Sequence, residues 1–235
     1  MAETRAEQIQ TIDDYEPSTG GVVHLRALSR AEAEDRRAAL ADLFAESSVA
    51  DGDDAYDTRE GFLRRLTEDS GRPGFETIIA EATAGPGEAS VLVGAVFGFP
   101  VPPDGSWWLG FHGPLPHRIA ELTAAGDVFA VTDLLVHRHE RERGLAGHLQ
   151  RRLLAGHQPS VGVTLVSQSD LAGYASLYSW GWQDIGEFHL PPDVTVRRAL
   201  TLTLTPGEPA AEDPDGLAQD AEQPHEADGA DPGAR

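Results

Sequence analysis

Apolar and polar positions along the chain fall into two spacings. Residues 22–28 set Val22, Val23, Leu25 and Leu28 around His24 and Arg26, which predicts a first strand. Residues 75–82 and 91–101 predict two more, joined through the turn-forming stretch 83–90 into an antiparallel hairpin. Two helices are expected between the first and second strands. Ser29 followed three residues later by Glu32 is a capping box, and Ala33, Ala38, Leu40, Leu43 and Phe44 form the apolar side of the helix it opens. The next helix is predicted over residues 58–68, with Phe62, Leu63 and Leu66 on one face.

The pattern is densest over residues 127–156. Val128, Phe129, Val131, Leu134, Leu135 and Val136 make a short run of the length and β-branched or aromatic content of a buried strand. From Gly144 onward Leu145, Leu149, Leu153 and Leu154 recur at helical spacing, with Arg151 and Arg152 on the other face. The unit is therefore strand, basic glycine loop, amphipathic helix. After it come a strand over residues 161–166, a helix capped by Ser169 and running to about Trp180, and a closing hairpin over 184–190 and 195–204. Residues 102–117 are rich in Pro and Gly but hold Trp107, Trp108, Phe111 and His112, a packed segment or a substrate wall, with core packing preferred. Residues 118–125 predict a short helix.

Composition sets the limits of the chemistry. A chain of 235 residues with 40% hydrophobic residues can bury a sizeable core as one domain. It has no Cys, which excludes disulfides, thiolate metal sites and a cysteine nucleophile. All 18 basic residues are Arg, and both Lys and Asn are missing, a coding bias more than a functional choice. The formal charge is −21, to which residues 205–235 contribute nine acids and one Arg. Such acidity argues against nucleic acid or anionic membrane as partner and suits a cationic one, although solubility alone also accounts for it. The apolar run at 91–101 is too short and too interrupted to span a bilayer, so a cytoplasmic protein is expected. The expected division is a flexible leader at 1–20, one domain at 21–204 and an acidic disordered tail at 205–235.

The start of a helix leaves backbone N–H groups without intrahelical partners and carries partial positive charge, so an anion settles there. Gly144, Ala146 and Gly147 keep side chains away, letting a pyrophosphate approach the amides from Arg143 to His148, while Arg141 and Arg143 supply formal charge. The order Arg141-Glu142-Arg143-Gly144-Leu145-Ala146 after a strand ending in Val136 resembles the donor-binding motif of the GNAT superfamily of acyl-CoA N-acyltransferases, Gln/Arg-x-x-Gly-x-Gly/Ala. Residues 174–187, YASLYSWGWQDIGE, resemble that family's following helix and Gly-aromatic turn. The likeness spans about 22–204, with its specific motifs between Val131 and Trp182.

The resemblance implies an α/β (α+β) fold with a mixed central sheet of about six to seven strands flanked by helices on both faces. It implies acetyl-CoA as cosubstrate without a metal, and direct transfer of the acetyl group to a primary amine. Leu134, Leu135 and Val136 would pair with the pantetheine arm at a β-bulge, and Arg141, Glu142, Arg143, Gly144, Leu145, Ala146, Gly147 and His148 would hold the pyrophosphate. Asp170 stands where the family often has an Asn facing the donor; an Asp offers no amide N–H. Tyr178 resembles the tyrosine near the CoA sulfur, but two residues separate it from Gly181 where the family has three, so Tyr174 is the alternative.

For the amine proton, Asp133 is the first candidate and Glu81 the second, while pairing with a nearby Arg is the competing role for a strand carboxylate. The acidic stretch at 47–57, with Asp51, Asp53, Asp54 and Asp57, borders the acceptor pocket in that fold; most charge runs are only solvated loops. His137 and His139 lack further ligands at metal spacing, and Glu140 and Glu142 are expected to face solvent or pair with Arg. The acceptor is expected to be a small cationic amine or a protein amine, and the family leaves a homodimer open. The competing reading is a non-catalytic acyl-CoA-binding regulatory module. A nucleotide-binding protein ranks lower, since neither Gly-x-x-x-x-Gly-Lys-Ser/Thr nor a Gly-x-Gly-x-x-Gly after the first strand is present.

Overall fold

The computed structural model describes residues 9–12, 15–18, 20–47, 58–85, 87–141, 143–190 and 195–204. The acidic residues at 51–57, Glu142 and the tail from 205 lie outside the described residues. Eight strands form one mixed sheet: β1 (Gln10–Thr11), β2 (Val22–Leu28), β3 (Glu76–Thr83), β4 (Val91–Pro100), β5 (Val128–Val136), β6 (Val161–Ser167), β7 (Gln183–Leu190) and β8 (Thr195–Thr203). Their spatial order is β1-β2-β3-β4-β5-β6-β8-β7. Every neighbouring pair is antiparallel except β5 and β6.

The sheet has one strand more than expected because residues within the leader take part in it. Gln10 pairs with Leu25 and Thr11 with His24, and Ile12 and Tyr15 are buried. These two apolar residues are too few to make a periodic signal, yet they find a place against β2 and the helix that follows β5.

The helices are α1 (Arg30–Asp35), α2 (Arg37–Ser47), α3 (Arg59–Ser70), α4 (His117–Ala125), α5 (Leu145–His157) and α6 (Leu171–Ser179). Ser29 makes both halves of the expected capping box with Glu32, and Thr58 caps α3 through Gly61 N–H. The single helix expected after Ser29 is divided at Arg36, whose side chain turns to β3 and donates to Glu81. Two core layers follow from the strand alternation. Ile78, Ala80, Val96 and Val131 face α5 with Leu145, Leu149 and Leu153; Ile79, Ala95, Phe97 and Leu135 face α2 and α3 with Leu40, Phe44 and Phe62. β4 is buried on both faces, which is why its sequence reads as a continuous apolar run.

A third cluster closes the end of the sheet where β5 and β6 begin. Trp108 is buried there among Ile119, Val128 and Val161, with its indole N–H donating to Thr123 Oγ1 at 3.0 Å, and Trp107 packs on Phe188 at 5.2 Å between ring centres. Trp108 and its neighbours thus pack as core at the end of the sheet opposite the glycine loop, the packing preferred from sequence.

Candidate active site

The two parallel strands part company halfway along. Pairing between β5 and β6 is confined to Val128–Val131 against Val161–Thr164, although β5 continues to Val136 and β6 to Ser167. On its other side β5 stays paired with β4 up to Val136, but the register shifts between Phe97 and Gly98, where Asp133 and Val131 are the successive partners and Thr132 is the extra residue. This is a β-bulge, and it bends β5 away from β6. Gly98 sits opposite it because no side chain fits: a Cβ there would lie 2.3 Å from Phe129 Cε1 and 2.4 Å from Ala130 O.

The opening exposes a polar edge. His137 N–H bonds Val93 O, so by the antiparallel alternation the odd residues of this end of β5 turn their N–H and C=O to β4. Leu134 and Val136 turn theirs into the wedge left by β6. A crevice at the carboxyl ends of parallel strands is where open α/β sheets take ligands.

The loop beyond β5 leads into the first turn of α5. Gly144 is its N-cap at φ 80°, ψ −3°, a left-handed conformation that glycine adopts without a Cβ penalty, and no side chain caps the helix. A Cβ on Gly147 would meet nothing within 4 Å, so the first turn faces open space. Backbone donors, dipole and room for an anion therefore coincide at residues 144–147.

The charged residues of the loop are arranged differently from expectation. Arg141 donates from Nη2 to Ser47 O at the end of α2, and Arg143 from Nη1 to Glu16 O at 3.1 Å, so both guanidinium groups hold the loop to its neighbours. His137 binds Glu46 through Nε2 at 2.8 Å and lies 5.2 Å from His139 between ring centres; among the described residues no three His, Cys, Asp or Glu could hold a metal ion. His148 contacts Arg151 Nη2 through Nδ1 at 3.1 Å. Glu140 neither faces solvent nor pairs directly with Arg. It is 1% exposed and accepts from Tyr15 Oη at 2.7 Å, from Ser18 N–H at 2.9 Å and from Ser18 Oγ. Burial raises its pKa, but those hydrogen bonds and the charge of Arg143 together outweigh burial and leave it below the ordinary value.

The two candidate bases are in separate networks. Asp133, just past the bulge, accepts from Arg65 Nη2 at 2.8 Å, and the two side chains are 9% and 12% exposed. Glu81 is held by Arg36 at 2.6 Å and Arg26 at 3.8 Å on the outer part of the sheet. Sequence reasoning missed the residues that surround Asp133. Arg65 and Asp69 lie one turn apart on α3, and Arg72 follows just past its C-cap Gly71. Asp69 pairs with Arg72 at 3.1 Å, and Arg72 lies 4.5 Å over the Phe99 ring. Asp69 has its pKa pushed up to about 6, chiefly by burial and further by Asp133, against the pull of Arg72 and Arg65.

Asp170 is the N-cap of α6, accepting from Gly173 N–H at 2.9 Å, and so takes the capping role expected of Ser169. Tyr174 and Tyr178 lie one turn apart with rings 6.4 Å between centres. Tyr174 donates to Asp184 Oδ2 at 3.3 Å, and Asp184 is gripped by Arg198 at 2.7 Å. Tyr178 is 64% exposed. Of the two, Tyr178 has the hydroxyl that makes no hydrogen bond among the described residues.

No family model matches the chain, and no curated protein matches it. Among solved structures, an acetyltransferase of the GNAT family from Streptococcus agalactiae aligns with a TM-score of 0.50 at 14% identity, over 78% of this chain and 96% of that one. The PaiA N-acetyltransferase of Thermoplasma acidophilum, in complex with coenzyme A, aligns at 0.48 and 10% identity over 77% of this chain and 99% of that one. A SpeG spermidine N-acetyltransferase variant from Vibrio cholerae aligns at 0.47 and 9% identity over 77% and 93%. The likeness to the Streptococcus structure shows a shared fold, the GNAT fold that the loop motif implied.

Proposed function

We propose that this GNAT-fold chain is an N-acetyltransferase that moves the acetyl group of acetyl-CoA directly onto a primary amine. The observation that carries the reading is the parting of β5 from β6 at the Thr132 bulge, beside an uncapped helix start at Gly144. The wedge suits an extended thioester arm, and the helix start suits its pyrophosphate.

In this reading Leu134 and Val136 pair through their cleft-facing backbone groups with the pantetheine arm, and the amides at 143–148 take the phosphates. Arg141 and Arg143 position the loop. The amine nitrogen attacks the thioester carbonyl, a C–N bond forms, the C–S bond breaks, and CoA leaves as thiolate. Backbone N–H groups at the bulge stabilise the carbonyl oxygen as it gains charge. Asp133 takes the amine proton on the oxygen that Arg65 leaves free, and the Tyr178 hydroxyl gives the proton that makes the thiol. The overall acidity, and the acidic stretch at 51–57, favour a small cationic amine or a protein amine as acceptor. Among the described residues no helix is long and apolar enough to cross a membrane.

One set of contacts favours a second reading, a non-catalytic acyl-CoA-binding module. Asp133, Glu81 and Tyr174 are each engaged by another side chain, and Asp170 is used as a cap. Titration of acetyl-CoA against wild type and Gly144→Glu, with ATP as competitor, followed by CoA release across an amine panel, separates the two. Donor binding lost in the variant, with CoA released by an amine, is expected for the enzyme. Binding with no release from any amine would establish the module instead, and no binding by wild type would overturn both.

A further inference from the structure

The contacts of Glu140 connect the donor loop to a part of the chain far away in sequence. All its hydrogen-bond donors among the described residues come from positions 15–18, more than 120 residues earlier. Those residues also touch the chain on both sides of Gly144. Arg143 reaches Glu16 O, and the Tyr15 ring meets His148 on the first turn of α5 edge-on, at 6.2 Å and 77°. The upstream end is fixed by β1 and by the bond from Ile12 N–H to Val23 O at 3.1 Å. A carboxylate four residues before an anion-binding helix start repels phosphate unless it is turned away and its charge is met by donors. The hydroxyls of Tyr15 and Ser18 and the Ser18 amide do both.

We infer that Tyr15 and Ser18 are positioning residues for the donor loop, acting through Glu140, so that docking of residues 15–18 and binding of the coenzyme A pyrophosphate are linked. The inference rests on the proposed donor site. By reciprocity, whatever strengthens one event strengthens the other by the same factor. The segment touches no atom that reacts, and its effect falls on donor affinity, not on the chemical step.

The test uses the full chain. Coenzyme A is titrated calorimetrically into wild type, Tyr15→Phe, Ser18→Ala, Glu140→Gln and the Tyr15→Phe/Glu140→Gln double variant, and amide exchange at Glu16 and Ser18 is followed with and without ligand. We expect coenzyme A to slow exchange at these two amides in wild type. Tyr15→Phe and Glu140→Gln should each weaken binding about five- to tenfold. The double variant should be no weaker than the worse single one, since both changes break one contact. Ser18→Ala, a smaller change at an exposed residue, should weaken binding in the same direction with the fold intact. Variants that bind coenzyme A as wild type does, while their strap exchanges faster, would reduce residues 15–18 to a structural tether. Wild type that binds no coenzyme A overturns the donor site itself, and the linkage with it.

Discussion

Arg65 on α3 reaches across to β5 and donates to Asp133 at 2.8 Å, with both side chains almost out of solvent. The contact spans the gap between a helix that packs on α2 and the strand that bears the bulge. It fixes the direction of the Asp133 carboxylate at the place where the sheet opens.

Removing one partner leaves a nearly buried charge without its counterion, which costs about 3–5 kcal/mol. Arg65→Leu is therefore expected to lower unfolding stability by that order, and Arg65→Leu/Asp133→Leu to recover most of it. Urea denaturation of the single and double variants measures both. In an amine assay Asp133→Asn should lower kcat about hundredfold, in line with loss of a general base. An unchanged kcat would assign the pair to stability alone.

Asp69 makes stability depend on pH in the direction opposite to an ordinary paired carboxylate. Its folded pKa of about 6 lies above its usual 3.8, so the native state holds the proton more tightly than the unfolded chain does. Stability from this group is complete below about pH 4 and is lost as pH rises through 6, by on the order of 3 kcal/mol. Asp69→Asn should flatten that fall. Thermal unfolding of both proteins between pH 4 and 7 gives the comparison, and parallel curves would refute the assignment.

Gly144 and Gly147 lie three residues apart and should respond oppositely to alanine. At Gly144 the left-handed φ of 80° makes any side chain strained, so Gly144→Ala should cost about 1 kcal/mol. Gly147 is within α5 with open space where a Cβ would go, so Gly147→Ala should gain roughly 0.5–1 kcal/mol of stability. Both should weaken coenzyme A, since each methyl enters the cradle. Stability and affinity measured on the same samples would separate the backbone effect from the ligand effect.

The two tyrosines of α6 divide in the same manner. Tyr174→Phe loses its bond to Asp184 and should cost about 1 kcal/mol while turnover persists. Tyr178→Phe, at an exposed position, should change stability by less than about 0.5 kcal/mol yet slow CoA release from the thioester. If Tyr174→Phe slows release and Tyr178→Phe does not, the acid has been assigned to the wrong residue.

Local rules were enough to read much of this protein. The alternation of β2, the apolar runs of β4 and β5, the Ser29–Glu32 box and the Leu145–Leu154 stripe are decided by neighbours within a few residues, so the sequence by itself determined most of the elements, their order and the strand-loop-helix unit around Gly144. The short strand at Gln10–Thr11 was not legible, since two residues carry no period and their pairing depends on β2. Nor were the partners of the charged groups. Arg65 meets Asp133 across 68 positions and Tyr15 meets Glu140 across 125, distances over which sequence spacing conveys nothing about contact. The sequence named Asp133, Arg141, Arg143, Asp170 and the two tyrosines as chemistry-bearing. Only the tertiary structure decided which of them are already engaged, because a buried charge or hydroxyl takes whichever partner the packing of distant elements brings within hydrogen-bond reach.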